Sequence, residues 1–175
     1  MKAKNLRKEF ASRAASLREG FGDSTPLAQR LGGWIEDAAK ELDAKQVILD
    51  EMFAHFDEHG FGAIYKNSLN QYGFVLKDAS DEGAYRYQLF DAKGFFGHST
   101  FSSAEEALLE LCDNGHTVMV SPDTLDKLSA TRLWKFSTEA LALRTAVEVG
   151  KYTWDEADRL YADLQLKYDP DLWAA

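Results

Sequence analysis

Four apolar positions near the start of the chain have helical spacing. Leu6, Phe10, Ala14 and Leu17 fall at i, i+4, i+8 and i+11, with lysines and arginines on the other faces. Gly20 and Gly22 close that segment. Ser24 or Thr25 then offers a cap, and Pro26 suits a first helical position. A second helical pattern continues to His59, with Gly32-Gly33 expected to break or kink it. From Trp34 onward, Ile35, Ala38, Leu42, Leu49, Met52, Phe53 and Phe56 form one apolar stripe. Glu36, Asp43, Asp50 and Asp57 take the opposite side, and Gly60 is the natural terminator.

The period then changes. Gly73–Lys77, Tyr85–Asp91, Phe95–Phe101 and His116–Val120 read as strands, the second and third joined by the turn Asp91-Ala92-Lys93-Gly94. Between the third and fourth strands, Ser102 with Glu105 and Ser103 with Glu106 offer two overlapping capping boxes for a short helix that ends at Asn114-Gly115. Ser121-Pro122 opens another helical turn. A longer helix is strongest over Thr138–Val149 and is stopped by Gly150. Thr153 and Glu156 form a capping box for a last helix through Leu160, Tyr161 and Leu164, ending near Asp169-Pro170.

The expected class is therefore α+β: N-terminal helices including one long amphipathic helix, a small, mostly antiparallel β-β-β-α-β unit, and a C-terminal αα-hairpin. The corresponding segments are a basic amphipathic helix over 1–22, a long acidic helical segment over 23–60, a small antiparallel sheet with one helix over 61–121, and C-terminal helices over 122–175. Residues 21–175 are expected to form one compact domain, a size at which a single core suffices.

Charge changes the picture more than composition does. The 175-residue chain has a net charge of −9, but Met1–Gly20 carries six basic residues against two acids. An acidic body repels phosphate, so direct nucleic-acid binding by that body is disfavoured. Glu36–Glu58 holds eight acids (Glu36, Asp37, Glu41, Asp43, Asp50, Glu51, Asp57 and Glu58) against two lysines. A second acidic stretch contains Asp155, Glu156, Asp158 and Asp163. Rows of carboxylates of this kind imitate a phosphate backbone. No apolar run approaches a membrane span, and the N-terminus lacks the apolar region of a secretory signal. The single cysteine, Cys112, excludes an intrachain disulfide and points to a reducing, cytoplasmic setting. The basic N-terminal helix has three readings: it packs on the body, docks on a partner, or lies on an acidic membrane, the last disfavoured by a face of only three large residues.

Candidate chemistry is sparse. His55, Glu58 and His59 spell His-x-x-Glu-His, which in zinc hydrolases places two ligands and a water-activating glutamate on one helix face. Here the helix stops one residue later, and nothing in the sequence marks a third ligand; Glu105, Glu106 and Glu110 are only available carboxylates. His98 and Ser99 alternate across a strand and cannot act as base and nucleophile. Cys112 lies late in a helix, where a thiol is not activated. The functional expectation is a non-enzymatic acidic binding protein without cofactor or metal. It acts through a protein partner, with a basic nucleic-acid-binding surface as the sharpest form, as an inhibitor from a mobile element would. The alternatives are a zinc-dependent hydrolase using His55 and His59, and a homodimeric structural or regulatory module.

Overall fold

The computed structural model describes residues 5–20 and 26–168. The expected caps Ser24 and Thr25 and the expected stop at Asp169-Pro170 lie outside the described residues. The protein is α+β, with six α-helices and one five-stranded antiparallel sheet among the described residues. A 3-10 turn over Leu6–Lys8 leads into α1 (Glu9–Gly20), and α2 (Pro26–His59) follows. The sheet is built from β1 (Ile64–Lys66), β2 (Tyr72–Lys77), β3 (Tyr85–Asp91), β4 (Gly94–Phe101) and β5 (Val118–Val120). Helix α3 (Ala104–Asp113) separates β4 from β5, and α4 (Thr124–Ser129), α5 (Arg132–Glu148) and α6 (Trp154–Tyr168) complete the chain.

Helix α2 corrects the expected break at Gly32-Gly33. It runs unbroken for 34 residues, about 51 Å. Glycine lowers helix propensity by about 1 kcal/mol each but forbids nothing, and the strong periodicity on either side carries the helix through. Its buried positions are Ala39, Gln46, Leu49, Met52 and Phe53. Ala38, expected in the apolar stripe, is exposed, while Ile35, Leu42 and Phe56 are half-buried. Gly60 adopts φ +59 and ends the helix as expected, leading into a 3-10 turn.

Strand β1 is a correction to the four-strand expectation. It has three residues, too few for an alternation to register, yet it is interior to the sheet, whose order is β4-β3-β2-β1-β5. Tyr65 on β1 is fully buried, and its hydroxyl donates to the Met52 carbonyl at 2.8 Å, pinning α2 to the sheet. β5 pairs antiparallel with β1, Ile64 opposite Val120, so the strand latest in sequence takes the edge beside the earliest.

Contacts divide the chain into two compact units. The first comprises residues 1–88 and 98–120, with α1, α2 and α3 gathered around the β1–β2–β5 region. Its core is Phe10, Leu49, Met52, Tyr65, Val75, Leu108 and Leu111. Ser103 caps α3 by accepting from the Glu106 amide at 3.1 Å, while the Glu106 carboxylate reaches back to Ser102. Ser103 thus makes its half of one expected capping box, with the return bond of Glu106 going to Ser102 rather than to Ser103; in the other, Glu105 binds Arg7 instead.

The second unit comprises residues 89–97 and 121–175. The β3–β4 tip lays Phe90 and Phe95 against Trp134, with ring centroids 6.0 and 5.3 Å away. Helix α5 starts six residues before the expected strong region, capped by Thr131. It pairs with α6 as the expected hairpin. Phe136 packs on Tyr161 and Tyr168, and Lys167 and Tyr168 both reach Glu139. The Thr153–Glu156 capping box forms in both directions.

Candidate functional site: the acidic faces of the long helix

Glu36, Asp43, Asp50 and Asp57 recur every seven residues, so on a helix they form one nearly straight row. The structure places this row against α1 and the turn before it, not in open solvent. The Arg7 guanidinium donates to both carboxylate oxygens of Asp57, at 2.7 and 2.9 Å, and to Glu105 at 2.8 Å. Its carbon sits 4.5 Å from the centroid of the Phe53 ring. Lys8 reaches Asp50 at 2.9 Å. Arg18 bridges Glu36 at 3.1 Å and Asp43 at 2.8 Å. Arg13 and Lys45 converge on Asp113, at 3.5 and 3.0 Å. These partners hold the carboxyls of Asp57, Asp50 and Glu36 below their ordinary range. Hydrogen bonds from Arg7, Lys8 and Arg18 are the leading causes respectively, opposed by desolvation.

Beneath the ion pairs is a buried amide. Gln46 accepts from the Ala11 amide at 3.0 Å and donates to the Arg7 carbonyl and to Asp50, both at 2.7 Å. The Ala11 amide lies in the first turn of α1, where amides have no intrahelical acceptor, so Gln46 satisfies a group the helix itself leaves open. Phe10 and Ala14 are fully buried alongside. Of the three readings of the basic N-terminal helix, packing on the body is the one observed. Of the eight acids expected to form the acidic surface of this helix, four are thereby neutralised within the chain. The signal was present in the sequence as heptad-spaced acids and a complementary basic helix.

The other half stays open. Asp37, Glu41, Glu51 and Glu58 lie on a different side of α2. Among the described residues, Glu41 and Glu51 have no cationic partner. Asp37 has Lys40 only at 3.7 Å, and Glu58 has His59 only at 4.0 Å. Two large apolar side chains share this side: Val47, 60% exposed, and Trp34, 81% exposed. Trp34, Asp37, Ala38 and Glu41 line a shallow depression of about 250 Å³.

The second acidic stretch lies on α6. Glu156 is committed to the helix cap. Asp155, Asp158 and Asp163 are exposed without a cationic partner among the described residues, and Asp163 borders a groove of about 460 Å³ between α5 and α6.

The His-x-x-Glu-His segment is placed in the last turn of α2. His55 and His59 come together, their ring centroids 4.5 Å apart, and His55 also meets Tyr65 at 5.6 Å. Burial, and secondarily the neighbouring imidazole, lowers the His55 pKa. The Glu58 side chain is 74% exposed. None of the three available carboxylates completes a ligand set: Glu105 holds Arg7, Glu106 caps α3, and Glu110 accepts from Asn114. Among the described residues, no group of three or more His, Cys, Asp or Glu side chains stands close enough to hold a metal ion. Cys112 is buried, and burial pushes its thiol up to about 11, away from nucleophilic character. His98 and Ser99 alternate in exposure along β4.

No helix among the described residues is long and apolar enough to cross a membrane. Comparison of the chain with known protein families, curated proteins and solved structures finds no match.

Proposed function

We propose that this is a non-enzymatic acidic protein that acts through protein–protein contacts, its partner presenting a basic surface of the kind that contacts nucleic acid. The observation that carries the reading is the open acidic side of α2. There Asp37 and Glu41 face solvent beside the exposed Trp34, and Glu51 and Glu58 face solvent further along the helix, while the parallel row is already neutralised by α1 and the turn before it. The paired row also supports it. It shows that this helix holds a basic amphipathic helix through guanidinium and ammonium contacts above a small apolar seam. Inhibition of a nucleic-acid-binding protein by charge mimicry, in the manner of a mobile-element inhibitor, is the sharpest form of the proposal, with the cytoplasm as its setting. The test immobilises the full chain, captures basic proteins from the native host at low salt, and challenges the complex with salt and with duplex DNA. Capture is expected to fall steeply with salt, to be competed by DNA, and to be lost when Asp37, Glu41, Glu51 and Glu58 are all replaced by lysine. Salt-indifferent capture, or capture unchanged in that variant, refutes the reading.

A homodimer is the second reading. It is favoured by the C-terminal hairpin, which exposes Leu141 and Val149 on α5 and its connection, and Trp154 and Leu166 on α6. Sedimentation equilibrium of the full chain decides it: a monomer at micromolar concentration removes it.

A further inference from the structure

We propose that Trp34, Asp37 and Glu41 form a receptor for an arginine side chain of the basic partner. The proposal rests on the acidic-surface function and narrows it to one chemical group at one place.

The chain contains its own template. Arg7 is held with its guanidinium 4.5 Å from the centre of the Phe53 ring, its nitrogens bonded to the carboxylates of Asp57 and Glu105. Phe53 and Asp57 are four residues apart on α2, which puts ring and carboxylate on one side of the helix. Trp34, Asp37 and Glu41, at i, i+3 and i+7, again set an aromatic ring and carboxylates on one side of the same helix, nearer its start, with both carboxylates supplied by α2 itself. The small side chain of Ala38 keeps the space between them open, and the four residues line the depression of about 250 Å³. The ring here is indole, the strongest cation–π acceptor among side chains, and 81% of the residue is exposed.

Arginine fits this set better than lysine. A flat guanidinium stacks on the indole while its fork reaches two carboxylates, whereas an ammonium is a compact point charge that does one or the other. Among the described residues, the cations nearest along the helix do not settle into the site. Lys40 approaches Asp37 only to 3.7 Å, with both side chains more than half exposed, and Arg30, one turn before Trp34, is exposed. Tryptophan is also enriched among the residues that anchor protein interfaces.

The experiment records the indole N–H resonances of the full-length 15N-labelled protein at low salt during titration with hexa-arginine, and separately with hexa-lysine. The Trp34 resonance is identified by its loss in Trp34→Ala, a change at an exposed position that leaves the core intact. The expected result is movement of that resonance with hexa-arginine. Affinity for hexa-arginine should be about five-fold weaker in Trp34→Ala and in Asp37→Asn/Glu41→Gln, while hexa-lysine affinity stays within two-fold. A Glu51→Lys/Glu58→Lys variant separates the two levels of the claim. If hexa-arginine binds, is weakened by that variant, and is indifferent to Trp34→Ala or leaves the Trp34 resonance still, the arginine receptor is overturned and the acidic surface stands. If hexa-arginine does not bind the wild-type protein at all, both fall.

Discussion

Replacing Gln46 with methionine tests what holds the N-terminal helix in place. The substitution keeps the side chain's length and approximate volume and removes its amide. Three hydrogen bonds disappear: from the Ala11 amide at 3.0 Å, to the Arg7 carbonyl at 2.7 Å and to Asp50 at 2.7 Å. Gln46 is only 7% exposed, so water reaches the vacated positions poorly. A net loss of about 1 kcal/mol for each of the two backbone bonds, with a further contribution from the third, gives a destabilisation of roughly 2–3 kcal/mol. The ion pairs above Gln46 are half-exposed and contribute less per contact, because both ends remain hydrated and the charges are screened. Urea denaturation of wild-type, Gln46→Met and Arg18→Ala proteins is the assay, joined to hydrogen exchange at the Ala11 amide. Gln46→Met should unfold at clearly lower urea than Arg18→Ala, with faster exchange at Ala11. A loss below about 0.5 kcal/mol for Gln46→Met, or a larger loss for Arg18→Ala, would refute the view that a buried amide and not surface charge anchors α1.

Acid should loosen α1 before the sheet. The carboxyls of Asp50, Asp57 and Glu36 sit below their ordinary values in the fold, so their stabilisation is complete above the unfolded values of 3.8 and 4.5 and is lost as pH falls through the lower folded ones. Amide exchange in α1, followed from pH 6 downward after correction for intrinsic rates, should show this loosening; uniform protection in α1 and β2 down to the global transition contradicts it. Histidine works through the neutral form. Burial lowers the pKa of His116 and of His55 below 6.5, so the unfolded chain binds more protons and stability declines as pH drops below about 6.5. His116, only 3% exposed, should account for part of that slope, burial outweighing the opposing backbone contact at Asn114. The slope should shrink in His116→Leu, measured by urea midpoints at pH 5.5 and 7.5, and an unchanged slope contradicts it. Tyr65→Phe removes the hydroxyl bond to Met52 and should cost about 1 kcal/mol or somewhat more in the same assay, because the Met52 carbonyl then loses a buried donor. Zinc should bind only weakly at His55 and His59. Stoichiometric zinc in protein purified without chelator, lost in His55→Ala, would show a ligand set that these two imidazoles do not make alone.

Local chemistry was legible wherever neighbouring residues decide it. Helical spacing marked α1, α2, α3 and the α5–α6 pair, and the bounds of β3 were read residue for residue. The Thr153–Glu156 capping box, the left-handed Gly60 and the turn in which the Lys93 amide donates to Asp91 followed from side-chain types alone. The acids on α2 were equally visible, as was the basic helix that precedes them.

Long-range partners were not legible, because they depend on which surfaces meet. β1 is three residues long, and its place inside the sheet comes from β2 on one side and β5 on the other, the latter more than fifty residues away. Gly32-Gly33 carries a breaking tendency that the longer helix outweighs. Above all, four of the eight acids along α2 are matched by α1 and its preceding turn while four are not. Charge and spacing put all eight on the helix surface. Only the docking of α1, decided by the burial of Phe10 and Ala14 and by the Gln46 clasp, determines which row is neutralised and which remains exposed beside Trp34.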